Sequence, residues 1–368
     1  MTGDTLAQLR ILFQHAQFAD GGRLTVCADE LASVSGCEVV AAWASYLARG
    51  KRSVPDSELE LSAIIQGWRH YYGANYEAAG QLFHQAWAIA GASWRSWSAL
   101  GMGKVASDLG HWSEARDWLL DAAQRARQEN DLYRLAEAYG SLGEVFLRAG
   151  FPKPASELFV LDADLLPPGS AHVFRLRNYM GLCLGRLKCQ AQAEALLWEC
   201  YYAAADCDPM SAAYSLSSLA VLAMLNEDRR LFSRVSEFRT SEPAKLPYGI
   251  IQVVTAYFTH LDGKTDESVR LLRLAADQFG DTYPIERCWC LSLCASLLRD
   301  EEEQSSVLAQ IALLRGRSLE KPTKTIVGLI DEHLLNVIGF HAATSLTDGL
   351  AQAASLPEKW RFIERLLI

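Results

Sequence analysis

The chain has 368 residues, of which 50% are hydrophobic and 21% charged, enough to build a sizeable core and to exclude a disordered or collagen-like protein. Lys and Arg number 35 against 44 Asp and Glu, a net charge of −9, which is the wrong sign for a protein that grips duplex phosphates through a basic face. At about 150 residues per domain the length fits two or three units or one extended array, and only 25 Gly and 11 Pro argue against a loop-rich β protein.

The N-terminal residues lead into an amphipathic segment without a basic stretch and apolar run of the leader type. The most apolar segments, Leu219–Leu225 and Gly249–Phe258, are too short to cross a bilayer. Nine cysteines, an odd number scattered through helix-patterned segments, fit reduced thiols and a cytoplasmic setting.

From residue 57 onward a pattern recurs: a small residue, another small one twelve positions on, a bulky apolar at +16 and a small one at +19. It reads Gly67, Ala79, Phe83, Ala86, then Gly103, Ala115, Leu119, Ala122. Next come Gly143, Ala155, Phe159, where Asp162 breaks the last position, and Gly181, Ala193, Leu197, Cys200. A fifth copy at Ala220 keeps its first half only, because Phe232 stands where a small residue is expected. The sixth is Ala256, Ser268, Leu272, Ala275. The starts are 36, 40, 38, 39 and 36 residues apart, room for two helices of about four turns and two short connections. Antiparallel helices approach closely only where side chains are small. Gly costs ~1 kcal/mol against Ala inside a helix, so its return at one phase marks backbone contact.

Breaks fall between the predicted helices. Gly73-Ala-Asn75, Gly110, Gly150-Phe-Pro152 and Asp262-Gly-Lys264 lie inside hairpins; Gly91, Asn130-Asp131, Pro167-Pro168-Gly169, Asp208-Pro209 and Pro243/Pro247 lie between them, the residues that stop helices and make turns. No period-2 strand stands out, so the expected fold is all-α.

The copy Tyr139, Leu142-Gly143, Phe146, Ala155, Phe159, Pro167 resembles the tetratricopeptide repeat, in a long-repeat form similar to that of bacterial regulatory proteins. The resemblance implies a single right-handed α-solenoid of eight or nine hairpins. It spans residues 57–280, with divergent helical hairpins as caps over 1–56 and 281–368. It also implies that first helices line an inner, concave surface, with positions −6, −3, +1 and +4 from the small residue pointing inward. On that basis Trp68, Tyr71, Trp97, Lys104, Glu137, Glu144, Arg175, Asn178, Tyr214 and Tyr257 line the groove, with Arg186 and Arg148 one residue beyond the last phase. Aromatics and Arg are anchor types at binding surfaces. The plainer alternative makes the aromatics inter-repeat core, and pairs Arg175 with Glu137 or Glu144 across repeats. The family's carboxylate clamp is not reproduced in register.

Chemistry is sparse. Cys288, Cys290 and Cys294 lack a second ligand pair for zinc and read as small core hydrophobes. The acidic run from Arg299 to Glu303 reads as a helix start. Phosphate-loop, nucleophile-elbow and His-metal patterns are absent. The sequence therefore points to a non-enzymatic scaffold or adaptor with no cofactor or metal, whose concave face takes a peptide or helix of another protein, with no nucleic-acid or membrane partner. End-to-end stacking of its terminal hairpins leaves homo-oligomerisation open. The alternatives are the sensory portion of a signalling protein, such as a transcription regulator or nucleotide cyclase, and an enzyme with a site assembled across repeats.

Overall fold

The structure, a computed structural model, describes residues 59–89, 92–165, 172–206, 208–238 and 245–315. The expected cap over 1–56 lies outside these residues, as does most of the one over 281–368. Among the described residues there are fourteen helices and no strand. In chain order they are α1 (Leu59–Tyr72), α2 (Tyr76–Ile89), α3 (Ala92–Asp108), α4 (Trp112–Gln128), α5 (Leu132–Arg148), α6 (Pro152–Leu165) and α7 (His172–Arg186). There follow α8 (Gln190–Ala204), α9 (Pro209–Leu225), α10 (Arg229–Ser236), α11 (Lys245–Leu261), α12 (Thr265–Phe279), α13 (Pro284–Leu297) and α14 (Glu301–Arg315). None is long and apolar enough to cross a membrane.

Aspartates start several of these helices by accepting a backbone N–H that the first turn leaves unbonded. Asp131 accepts from Arg134, Asp208 from Ser211 and Asp228 from Leu231. Asp300 does the same for Glu303, so the acidic run opens α14 and complements its dipole.

Helices pair in sequence, α1 with α2 through α13 with α14. The small residue at each start meets the bulky residue at +16. A Cβ on Gly67 would lie 2.7 Å from Phe83, one on Gly103 2.6 Å from Leu119, one on Gly143 2.5 Å from Phe159 and one on Gly181 2.6 Å from Leu197. None of these glycines can carry a side chain without displacing its partner. In the sixth hairpin Ala256 takes this place, and the Ser268 hydroxyl donates to its carbonyl (2.8 Å). The fifth hairpin, with Phe232 where a small residue is expected, has a second helix, α10, of only 8 residues. Phe232 stacks instead on Phe258 of α11 at 4.7 Å.

The hairpin turns share one geometry. Seven residues after each small position stands a left-handed residue: Ala74, Gly110, Gly150, Lys188, Glu227 and Gly263, with φ of 56°, 79°, 91°, 65°, 51° and 77°. The following N–H bonds back to the carbonyl five residues earlier, as in His111 to Ala106 and Phe151 to Phe146, both 2.8 Å, the Schellman closure. In the first hairpin the left-handed residue is Ala74 rather than Gly73, because register to the Gly67–Phe83 contact sets the position.

First helices also touch one another in a continuous row, α1 to α3, α3 to α5, α5 to α7, α7 to α9 and α9 to α11. This sequential packing is that expected of a helical array. One seam within it is polar and largely buried. Arg134 is 1% exposed, bonds Asp131 and Ser96, pairs with Glu129 at 2.6 Å and lies over the Trp97 ring. Ser96 donates to Glu129 at 2.9 Å, closing the circuit. Cys288, Cys290 and Cys294 pack into the apolar core, as does Cys200 at its repeat position.

Candidate functional site

The first and last described hairpins touch. The Tyr76 hydroxyl, at the start of α2, donates to the Thr282 carbonyl before α13 at 3.4 Å, across 206 residues of sequence. Arg148, the last residue of α5, lies 4.0 Å from Glu286 of α13 and 3.9 Å from Asp108 of α3. Around these contacts Tyr71, Asp108, Glu144, Arg148, Tyr179, Tyr214, Tyr283 and Glu286 gather in one polar cluster, the chamber of the inner face. Its members lie within electrostatic reach of one another: Tyr214 feels Tyr283, Glu144, Asp108 and Arg148, and Tyr179 feels Glu144, Arg175, Tyr214 and Arg148.

Burial dominates the titration of this chamber. It pushes Tyr71 and Tyr179 well above the ordinary phenol value, and the carboxylates of Asp108 and Glu144 respectively push the same way. Tyr76, Tyr214 and Tyr283 are raised for the same leading reason. The phenols are therefore neutral. Burial also raises Asp108 and Glu286, partly offset in both by Arg148. Tyr71 donates to Asp108 at 2.7 Å, which offsets it further. Burial opposes the Arg148 cation, but Glu286, Asp108 and Glu144 outweigh it and hold its pKa above the usual value.

The residues expected on the concave face divide into three groups. Tyr71, Glu144 and Tyr214 line the chamber, and Arg175 and Asn178 sit beside it on α7. Lys104, Glu137 and Arg175 form a ladder across three hairpins, Glu137 taking Lys104 at 3.3 Å and Arg175 at 3.2 Å. Arg186 reaches back to donate to the Leu147 carbonyl at 2.9 Å, satisfying the end of α5. The aromatic members Trp68, Trp97 and Tyr257 are core: they are 2%, 1% and 0% exposed. Trp68 packs edge-on against Tyr71 and Phe83, and Tyr257 donates to Glu227 at 3.2 Å.

Asp108, Arg148, Tyr179, Tyr76, Tyr283 and Glu286 are the chamber residues that the expected inward positions omit. A signal existed for two of them, because position +5 is charged in three successive hairpins: Asp108, Arg148 and Arg186. Tyr283 and Glu286 belong to a hairpin without the repeat and carry no such signal.

Several polar groups here lack partners. Glu144 makes no ion pair or hydrogen bond among the described residues, although it lies within electrostatic reach of six charged or phenolic neighbours. Asn178 is 4% exposed and Ser141 3%, and neither amide atom of Asn178 nor the Ser141 hydroxyl is hydrogen-bonded among the described residues. Such groups are uncommon in folded proteins and each calls for an account. Among the described residues no three His, Cys, Asp or Glu side chains are grouped to hold a metal ion. The chamber's own chemistry is hydrogen bonding and charge complementarity.

The chain matches no known protein-family model, and no curated protein matches it significantly.

Proposed function

We propose that the chain is a right-handed α-solenoid of tetratricopeptide-like hairpins that acts as a non-catalytic binding protein, its inner face capturing a peptide or helix of a partner protein. The observation that carries this reading is the convergence of side chains from α1, α3, α5, α7, α9 and α13 on one chamber in which Glu144 stays unpaired. A sealed structural cluster satisfies its members; this one leaves groups to be satisfied from outside.

A photo-crosslinking residue in place of Tyr214, with a second placed at Val160 on the outer surface, tests this in native lysate. Crosslinks to a discrete partner from position 214 and none from 160 are expected. Glu144→Gln combined with Asn178→Ala should abolish the crosslink while leaving the melting temperature within a few degrees. Equal labelling from both positions, or capture that survives the double variant, refutes the reading.

A further inference from the structure

We propose that the chamber takes a cationic group, the ammonium or guanidinium of a basic side chain or of a free amine, seated on Glu144 among the rings of Tyr71, Tyr179 and Tyr214. The inference rests on the inner face being a binding face and names what that face recognises.

Charge is the first ground. Asp108, Glu144 and Glu286 surround one cation, Arg148, which stands at 3.9 and 4.0 Å from two of them and forms no ion pair with the third. The ion pairs and hydrogen bonds of the neighbouring cations are spent elsewhere: Lys104 and Arg175 both hold Glu137, and Arg186 holds the Leu147 carbonyl, while Arg175 reaches Glu144 only through its field. An anion entering the chamber meets three carboxylates; a cation meets an unpaired one.

The lining is the second ground. Phenol rings present negative faces that attract ammonium and guanidinium groups, most strongly where water is excluded. Five tyrosines reach this space, from α1, α2, α7, α9 and the turn before α13. Arg148 is the built-in precedent, a guanidinium that the surrounding carboxylates hold in its charged form.

Independent of charge is a third ground. Ser141, one turn before Glu144 on α5, and Asn178, between Arg175 and Tyr179 on α7, are buried on the inner row with polar atoms unpartnered among the described residues. They supply a hydroxyl and an amide, which match the neutral donors and acceptors that flank a basic group in a peptide or polyamine.

The test uses the full chain and three probes, with calorimetry and tyrosine fluorescence at low salt. They are spermidine, an extended Gly/Ser octapeptide with one central Arg, and the same peptide with Glu in its place. The Arg peptide or spermidine should bind, the Glu peptide about tenfold or more weaker, and Glu144→Gln should weaken the cationic probe by about tenfold. Tyr179→Phe, which keeps the ring face, should retain binding, whereas Tyr179→Leu should lose several-fold; Val160→Ser on the outer surface should change nothing. Binding of spermidine alone assigns the site to a free amine, and of the Arg peptide alone to a basic side chain. Equal binding of the Arg and Glu peptides, or indifference to Glu144→Gln, overturns the cation reading while leaving the chamber a binding site. If no probe binds, the cation reading falls, and the crosslink from position 214 then decides separately whether the inner face binds anything.

Discussion

Arg134 and Arg148 occupy opposite ends of α5 and show how differently one helix uses the same side chain. Arg134 is saturated by Asp131, Glu129 and Ser96 and covered by Trp97. Arg148 hangs between Asp108 and Glu286 at the limit of ion-pair distance, with its Nε atom unbonded among the described residues. A buried charge with complete geometry belongs to the scaffold; one with incomplete geometry marks a place where the scaffold stops and binding begins.

The contrast can be broken by mutation. The largest effect belongs to Arg134→Ala, which strands two carboxylates in a largely buried seam and should cost about 3–5 kcal/mol in urea denaturation. Gly143→Ala should follow at about 1–3 kcal/mol, since its Cβ must displace Phe159 from a well-packed hairpin. Arg148→Met should cost less than Arg134→Ala, about 1–3 kcal/mol, because its ion pairs are long and the carboxylates it leaves behind can take up protons; a loss as large as that of Arg134→Ala would erase the distinction between the two ends of α5. Glu144→Gln should fall within about 0.5 kcal/mol of wild type, its effect appearing in binding alone.

The pH dependence sharpens the same point. Asp108 and Glu286 have native pKa values raised by burial, so the folded chain holds those protons more tightly than the unfolded one. Stability should therefore rise as pH falls from neutral through the raised native values, and flatten near the ordinary carboxylate value. Asp108→Asn with Glu286→Gln should remove most of that slope, measured as the urea midpoint against pH. Glu129, also raised by burial, accounts for a remainder.

What the sequence revealed is what one hairpin determines by itself. Small residues facing bulky ones at +16 are legible because both lie within about forty residues and answer to a single helix crossing. The pairing of Arg175 with Glu137 was legible as well, since neighbouring hairpins place the same inner position side by side. Half of the left-handed turns were hidden, because Ala74, Lys188 and Glu227 stand where glycine would have announced them. The meeting of Tyr76 with Thr282 was not legible at all. It depends on the summed rotation of many hairpins, and no local spacing records a sum. For that reason Asp108 and Glu286 escaped notice, although Glu144 did not, while Trp68 and Trp97, conspicuous in sequence, packed into the core.

The contact between Tyr76 and Thr282 also has a mechanical meaning. A coil whose first and last described hairpins touch cannot lengthen like an open spring. Under tension it must first give up that hydrogen bond and the Arg148–Glu286 bridge, so its extension begins at a threshold force and only afterwards becomes compliant.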